Sequence, residues 1–325
     1  MPRLLMVPLD GSTFAEQALP LALAIARRTR ARLHLVRVRA SLPLVPDDAR
    51  SEAYLKRMVG LIEPELPGRV THAVLTDEYG PLEYPPPAPD TAAGALCRYA
   101  EDNDAAVIVI ATHGRGGLKR AWLGSVADAL VRIATRPVLL IRPEDGAFGA
   151  AASADRGLGH IVIPLDGSEV AEEVIPHARV LGEAFAARYT LVRVVSPLTW
   201  DVSTGEFAGR AAEPLPPLSR AAAEQYLEQV AKRMRADGLV VNTHVIMSPS
   251  PASAIIDYAT AHAADLVAMV TSGHGRVKRL LLGSVADKIV RGGTTAVLVC
   301  NAQRLAHSAE PAAETANATS AGTQQ

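Results

Sequence analysis

Two aspartates and two glycine-rich segments are the parts of this sequence whose residue types and spacing could do chemistry. Asp10 and Asp166 each end a short apolar run, and the glycine-rich segments occupy residues 111–125 and 270–284. Glycine lets backbone amides approach an anion closely, and an aspartate carboxylate accepts hydrogen bonds from hydroxyl and amine groups. Such a pair of features favours a site for the phosphates and the nucleoside of a nucleotide.

Each glycine-rich segment ends in a Gly-Ser pair, Gly124 with Ser125 and Gly283 with Ser284. A Gly-Ser pair that opens a helix places free backbone amides and the helix dipole near a phosphate, and the serine hydroxyl can donate as well. A structural interpretation fits the spacing equally well, because glycines also make tight strand-to-helix connections and serine also caps helices.

The sequence matches the known catalytic and metal-binding motifs less well than it matches a nucleotide site. The sequence has no Gly-Lys-Ser/Thr, and the dinucleotide fingerprint fails at its last glycine, where Lys119 stands, so a P-loop hydrolase is disfavoured. His113 has no acidic residue or nucleophile near it in sequence, which favours a turn or ligand-contact role over that of a base. The nine histidines are scattered without metal-site spacing. The sequence therefore indicates neither a catalytic residue nor a metal site.

Basic residues accompany both candidate sites. Arg37 and Arg193 recur at the same place in the two repeats, where they either line a crevice or reach solvent from the end of a strand. The basic residues of the glycine-rich segments either contact phosphates or solvate a loop, and solvation is favoured for most of them. These residues are Arg115, Lys119, Arg120, Arg276, Lys278 and Arg279.

Both candidate sites belong to an internal duplication. LLMVPLDGS from residue 4 matches HIVIPLDGS from residue 160, and residues 97–142 match residues 256–301 at 19 of 46 positions. A repeat of this length is a duplicated domain and not a solenoid unit. The predicted organisation is a first domain at 1–145, a linker at 146–159, a second domain at 160–302 and a disordered tail at 303–325.

The elements that must position these residues alternate between strand and helix. In the first repeat we predict strands at 4–9, 33–39, 70–76, 107–111 and 138–142, and helices near 47–62, 91–103 and 124–133. Another helix follows Asp10, capped by Ser12 or Thr13, with a kink expected at Pro20 and at its counterpart Pro176. The pattern predicts an α/β protein of two tandem doubly wound five-stranded parallel sheets, Rossmann-like, with ligands beyond the carboxyl ends of the strands.

Composition limits the class of protein. Hydrophobic residues make up 49% and aromatic residues 4%, which suits an aliphatic core of helices packed on a parallel sheet. The formal net charge of −1 gives no overall attraction to nucleic acid or anionic lipid. Charged residues interrupt every apolar run before it reaches the length of a membrane span. We therefore expect a cytoplasmic protein with neither nucleic acid nor a membrane as its partner.

These motifs resemble the universal stress protein family, over both repeats and from about residue 2 to residue 301. Members of that family open with a hydrophobic strand that runs into a P-x-D-G-S motif, as at 8–12 and 164–168. Their nucleotide-binding branch has glycine, two residues, glycine, nine residues and then Gly-Ser. The positions that match this second pattern are Gly114, Gly124, Ser125, Gly273, Gly283 and Ser284.

The leading glycine of the family pattern is replaced by Ala111 in the first repeat and by Val270 in the second. Each adds a Cβ where the backbone of family members passes close to the ligand, so the first site is expected to be the better one. The resemblance also implies adenine and ribose contacts from Pro8, Asp10, Val38, Ile110, Pro164, Asp166, Val194 and Met269. The predicted set is completed by Ala111 and Val270, and by Val126 and Val285, which follow the two serines.

The resemblance implies an adenine nucleotide alpha hydrolase-like fold that binds ATP or another adenine nucleotide, with Mg²⁺ compatible but not indicated by the sequence. The leading hypothesis is a non-catalytic stress-response regulator whose state depends on the nucleotide. A nucleotide-independent interaction or chaperone-like module and a slow ATPase are the alternatives. Because family members commonly dimerise through their last strand, residues 138–141 and 297–300 are expected to pair as an intramolecular pseudo-dimer, with further homo-oligomerisation open.

Overall fold

The computed structural model describes residues 3–40, 48–77, 92–112, 123–142, 157–196, 220–271 and 283–301. The predicted tail at 303–325 and most of the predicted linker at 146–159 lie outside these ranges. The predicted domain boundaries therefore stay predictions.

Strands and helices alternate along the described chain. The first half contains β1 (Leu4–Pro8), α1 (Thr13–Glu16), α2 (Leu19–Thr29), β2 (Arg32–Ala40), α3 (Asp48–Ile62), β3 (Val70–Asp77), α4 (Ala92–Asp102), β4 (Val107–Ala111), α5 (Ser125–Ile133) and β5 (Val138–Ile141). The second half contains β6 (His160–Pro164), α6 (Glu169–Glu172), α7 (Val174–Glu183), β7 (Arg188–Val195), α8 (Arg220–Ala236), β8 (Val240–Met247), α9 (Pro251–Ala261), β9 (Leu266–Val270), α10 (Ser284–Gly292) and β10 (Ala296–Cys300). The predicted α/β class is confirmed.

The strands form one sheet in the order β3-β2-β1-β4-β5-β10-β9-β6-β7-β8. Within each half the strands are parallel, as predicted. The direction of winding reverses between β1 and β4 in the first half, and between β6 and β9 in the second. In open α/β sheets, ligand-binding crevices form at the carboxyl ends of the strands where the winding reverses in this way.

The two halves join through their last strands. β10 runs antiparallel to β5, with Val299 opposite Val138 and Val297 opposite Leu140. Two side-chain hydrogen bonds accompany this strand pair: Arg291 donates to Asp128 across 2.7 Å, and Asn301 donates to the carbonyl of Arg132 across 3.0 Å. The predicted pairing of the last strands within the chain is confirmed.

Alternate residues of the central strands face the two layers of helices. Leu5 and Val7 point to the face covered by α2, α3, α7 and α8, whereas Leu4 and Met6 point to the face covered by α4, α5, α9 and α10. Each of the two apolar clusters contains residues of both halves. Burial on both faces is why these strands are continuous apolar runs in the sequence.

The helix after the first strand of each half is broken, which corrects the predicted kink. α1 ends at Glu16 and α2 begins at Leu19, so that Pro20 lies in the first turn of a new helix. In the second half α6 ends at Glu172, and Pro176 is the third residue of α7. The first backbone N–H groups of a helix have no intrahelical acceptor, so proline costs little there, whereas inside one continuous helix it would remove a hydrogen bond.

Helices long and apolar enough to cross a lipid bilayer are absent from the described ranges.

Candidate functional site

Two turns, each an Asp-Gly-Ser triplet, follow the strands at the crevices. They consist of residues 10–12 after β1 and residues 166–168 after β6, and we call them the Asp-Gly-Ser turns. Leu9 donates its backbone N–H to Val36 across 2.8 Å, and Leu165 makes the same bond to Val192 across 2.8 Å. These bonds fix the start of each turn at the end of the strand ladder.

Each turn holds its aspartate in a defined orientation. In the first domain the backbone N–H of Ser12 donates to Asp10 Oδ1 across 2.8 Å. In the second domain Asp166 Oδ1 accepts two hydrogen bonds from Ser168, from the backbone N–H at 2.9 Å and from the hydroxyl at 2.6 Å. Both aspartates are exposed. A carboxylate has about four acceptor positions, so one that holds its own turn can accept from more than one donor.

The serines of the turns also cap helices. Ser12 Oγ accepts from the N–H of Ala15 across 3.2 Å, and Ser168 Oγ accepts from the N–H of Ala171 across 3.1 Å. The alternative prediction of Thr13 as the cap is wrong, because Thr13 is already helical. Along the chain, the P-x-D-G-S motif therefore provides the end of a strand, then a turn that carries a carboxylate, and then the cap of a helix.

The Gly-Ser pairs open α5 and α10 at the same edge of the sheet. Gly124 and Gly283 are the N-cap residues, and Ser125 and Ser284 are exposed first residues of the helices. Unlike the serine caps of α1 and α6, a glycine cap carries no side-chain oxygen to accept from the first amides of the helix. Those amides, together with the positive end of the helix dipole, suit an anion.

The glycine of the second pair has a structural task as well. Gly283 donates its N–H to the carbonyl of Thr271 across 2.7 Å, and a Cβ at this position would lie 2.9 Å from that oxygen. Gly283 therefore also fixes the start of α10 against the residue that follows β9. The amides that stay available to an anion at α10 are those of Ser284 and the two residues after it.

The remaining predicted residues lie at strand ends or in the first turn of the same helices. Pro8 and Pro164 end β1 and β6, and Val38 and Val194 lie near the ends of β2 and β7. The last two residues of β4 and β9 are Ile110, Ala111, Met269 and Val270, all buried. Val126 and Val285 follow the serines in α5 and α10. Gly114, Gly273 and the basic residues of the glycine-rich segments lie outside the described residues.

The sequence left open whether Arg193 lines a crevice or reaches solvent from the end of its strand, and the second alternative is wrong. Its side chain does not reach solvent from the strand end but is 8% exposed, and its guanidinium donates to the carbonyl of Asp166 across 2.9 Å. The sequence reasoning missed Tyr54 and Tyr226, whose rings lie against Arg37 and Arg193. A signal was available, since each tyrosine precedes a leucine in the helix after the second strand.

Within the described ranges, His, Cys, Asp and Glu side chains form no group of three or more that could hold a metal ion. Both cysteines, Cys97 and Cys300, are buried. Burial raises the pKa of the Cys300 thiol to about 12, with a smaller contribution from the nearby Glu173 carboxylate. This thiol is consequently protonated and unreactive at neutral pH.

Comparison with known sequences matches each half of the chain separately. The profile described as the Universal stress protein family matches residues 1–142 and again residues 157–301. A universal stress protein of Methanocaldococcus jannaschii is 34% identical over 143 residues, which are 43% of this chain and 79% of the relative. One of Mycobacterium bovis is 30% identical over 204 residues, which are 61% of this chain and 62% of the relative.

Solved structures share the whole two-domain architecture. A putative universal stress protein from Pseudomonas aeruginosa superposes with a TM-score of 0.65 at 16% identity, covering 94% of this chain and 96% of that one. A universal stress protein from Archaeoglobus fulgidus gives a TM-score of 0.62 at 16% identity, covering 92% and 98%. At this level of identity the similarity establishes the fold.

Proposed function

The chain belongs to the universal stress protein family, and we propose that it binds an adenine nucleotide, ATP in the first place, and acts as a non-catalytic stress-response regulator. One observation carries the proposal. In each half, an exposed aspartate on a fixed turn and a helix that begins with a glycine cap follow the two strands at the point where the winding reverses. This is the place where open α/β sheets bind ligands.

In this proposal the aspartate turn binds the nucleoside, and the start of the helix binds the phosphates. The Asp10 and Asp166 carboxylates accept hydrogen bonds from the nucleoside, whose ribose hydroxyls and adenine amine are donors. The first amides of α5 and α10, with the Ser125 and Ser284 hydroxyls, donate to phosphate oxygens. Neither feature alone selects a nucleotide, whereas the pair matches a ligand with a nucleoside at one end and negative charge at the other.

Binding without turnover fits the same residues. Asp10 and Asp166 each use an oxygen to hold their own turn, and the serines of α5 and α10 lie at helix starts, where a hydroxyl can donate to an anion. General acid–base or nucleophilic catalysis needs a nucleophile within hydrogen-bond reach of a base. We therefore propose that the nucleotide stabilises one arrangement of the protein, which a partner recognises.

We propose unequal sites. Ala111 and Val270 end β4 and β9 at the position of the family's leading glycine, where valine adds two methyl groups at the strand end. Valine occupies more of the space beside the ligand than alanine. We expect the first domain to bind ATP more tightly than the second.

Calorimetric titration of the purified full chain with ATP, AMP and adenosine tests the proposal. We expect one or two nucleotides per chain, with ATP bound more tightly than adenosine. Ser125→Ala and Ser284→Ala should each weaken ATP at one site by about three- to tenfold and leave adenosine unchanged. Ser253→Ala, on the exposed face of α9, is the matched control. A folded protein with no measurable affinity for any adenine nucleotide would contradict the proposal.

A second function, a nucleotide-independent interaction module, is favoured by one specific observation. Phe14 and Val170 occupy equivalent positions one turn after the aspartates, and they are 47% and 37% exposed. Apolar side chains exposed at matching positions suit contact with a protein partner. Phe14→Ser and Val170→Ser should then abolish the cellular stress phenotype while nucleotide binding persists, and an unchanged phenotype would discard this alternative.

A further inference from the structure

An arginine lies beneath each Asp-Gly-Ser turn. Arg193, on β7, donates from Nη2 to the carbonyl of Asp166 across 2.9 Å. Gly167 has a φ of +94°, and a Cβ at this residue would lie 2.8 Å from Arg193 Cζ. Gly11 has a φ of +92°, and its Cβ would lie 2.9 Å from Arg37 Nη1. The glycine of the motif is therefore needed twice, for its left-handed backbone and for the space that the guanidinium fills.

A tyrosine closes the other side of each guanidinium. Arg193 Cζ lies 4.8 Å from the centroid of the Tyr226 ring, and Arg37 Cζ lies 5.4 Å from that of Tyr54. Both tyrosines come from the helix that follows the second strand of the half, α8 and α3. A planar guanidinium over a tyrosine ring is a favourable arrangement that lysine reproduces poorly.

A glutamate links each tyrosine back to the turn. Tyr226 Oη donates to Glu172 Oε1 across 2.9 Å, and Tyr54 Oη donates to Glu16 Oε1 across 3.1 Å. Glu172 and Glu16 lie in α6 and α1, the short helices that the turns themselves cap. Arginine, tyrosine and glutamate thus connect the second strand, the following helix and the capped helix around one turn, and the same connection exists in both halves.

The arrangement keeps a charged group away from water. Burial lowers the pKa of Arg193, but a guanidinium starts so high that it stays protonated at neutral pH. Burial, together with the Glu172 carboxylate, raises the pKa of Tyr226, so its phenol stays neutral and able to donate. The guanidinium is buried under the aspartate turn, while the phosphates are assigned to the starts of α5 and α10. The guanidinium of Arg193 is therefore placed to hold the turn and not to bind a phosphate.

We infer that Arg37 and Arg193 are positioning residues for nucleoside recognition: each holds the Asp-Gly-Ser turn so that its aspartate carboxylate faces the nucleoside. The inference rests on the proposed nucleotide binding and adds a residue to it. It requires that loss of the arginine weakens adenosine and ATP by the same factor, because both ligands share the nucleoside. An arginine that contacted phosphate would weaken ATP alone.

The test compares adenosine and ATP affinities of the full chain by calorimetry. Arg37→Met with Arg193→Met should weaken both ligands by about ten- to a hundredfold, since the ring contacts of both arginines and the hydrogen bond from Arg193 to the turn are lost. Lysine at the two positions should not restore affinity, because it lacks the planar fork. Arg220→Met, at an exposed arginine of α8, is the control and should change neither affinity.

Tyr54→Phe with Tyr226→Phe keeps the ring and removes only the hydroxyl that reaches the glutamate. We expect this milder variant to stay folded and to weaken adenosine and ATP equally, by about three- to tenfold. Unchanged affinities in folded methionine and phenylalanine variants would overturn the inference, as would a loss confined to ATP.

Hydrogen exchange separates this inference from the proposed function. If the wild-type chain binds no adenine nucleotide, the proposed function fails, and the exchange of the Ser12 and Ser168 amides still reports whether the turn is held. These amides donate to the aspartates. The methionine variants should exchange them at least about tenfold faster than the wild type. Unchanged exchange would show that the arginines do not hold the turns.

Discussion

The two domains share their strand order and their turn, but they differ in the side chain that ends the fourth strand and in the contacts that hold the aspartate. In the first domain β4 ends in Ala111, and Arg37 is half-buried. In the second, β9 ends in the bulkier Val270, while Arg193 is buried and Ser168 donates to Asp166 twice. The smaller strand-end residue and the more firmly held aspartate therefore lie in different domains, so the proposed ranking of the two sites depends on both features.

The largest expected effect comes from the turn glycines. Gly167→Ala should destabilise the protein by about 3 kcal/mol, because the backbone is left-handed and the new Cβ meets a buried guanidinium. Gly11→Ala should cost about 1–2 kcal/mol, since its Cβ would lie 3.6 Å from Arg37 Cζ, against 2.8 Å for the counterpart. Urea unfolding followed by circular dichroism measures both. If both variants lost the same unfolding free energy, the two turns would be held equally firmly.

The valine at the end of β9 gives the next effect. Val270→Gly should raise the ATP affinity of the second site by about tenfold, roughly 1.4 kcal/mol, and Ala111→Gly should raise that of the first by about two- to threefold. Each is measured calorimetrically with the other site weakened by Asp10→Ala or Asp166→Ala. Glycine in a strand costs about 0.5–1 kcal/mol, so thermal unfolding is the control for stability. No gain at Val270→Gly would mean that space does not limit the second site.

A histidine that has a leucine as its counterpart distinguishes the domains at the opposite edge of the sheet. His160, matched by Leu4, accepts at Nε2 from the Thr190 hydroxyl across 2.9 Å and donates from Nδ1 to the His262 carbonyl across 3.1 Å. Burial lowers the pKa of His160, with Arg188 acting in the same direction and the His262 carbonyl and Asp265 opposing it. As pH falls below about 6.5, the unfolded chain takes up a proton before the native chain does, so stability declines.

His160→Leu should therefore remove part of the acid sensitivity of the protein. Between pH 7.5 and 5.5, the wild type should lose about 1 kcal/mol more unfolding free energy than the variant. Denaturant titrations at the two pH values measure the difference. A variant that keeps the full pH dependence would show that the buried histidine is not its source.

The smallest effect concerns the contact between the domains. Asp128 accepts from Arg132 of its own helix across 2.9 Å and from Arg291 of the other domain across 2.7 Å. The hydrogen bond from Arg132 is the largest of the causes that lower the pKa of Asp128. The stabilisation is present at neutral pH and is lost as pH falls below about 4, where the carboxylate takes up a proton.

Asp128→Asn should cost about 0.5 kcal/mol at pH 7, because these side chains are partly exposed, and less at pH 3, where part of the carboxylate is protonated. Asp287→Asn is the matched variant, at a carboxylate that accepts from Arg291 of its own helix. Unfolding free energies at the two pH values measure both. An effect of Asp128→Asn that is as large at pH 3 as at pH 7 would place its cause outside the ion pair.

Much of the fold could be predicted because its signals are local. The buried strands are short apolar runs bounded by turn residues, and every predicted strand or helix of the first repeat that was given bounds ends within one residue of the observed element. The break before α2 was missed because proline forbids a continuous helix but does not determine whether the chain bends or restarts. The observed restart places Pro20 where its missing N–H is harmless.

The site was predictable in part for the same reason. The P-x-D-G-S motif identifies the aspartate and its turn from adjacent residues. The supporting tyrosines were not identified, because Tyr54 lies 17 residues after Arg37 whereas Tyr226 lies 33 residues after Arg193, so the two repeats do not align there without a gap. Contacts between a strand and a later helix depend on packing, which spacing along the chain does not encode.

The antiparallel contact between β5 and β10 has a consequence for how this protein can change. In a symmetric dimer of identical subunits, any substitution near the two-fold axis occurs on both sides at once, and each must tolerate its own copy. A tandem chain frees the two sides from this constraint. Here the second strand end carries Val270 where the first carries Ala111, and β6 begins with His160 where β1 begins with Leu4. Covalent fusion thus permits one half to specialise without altering the other.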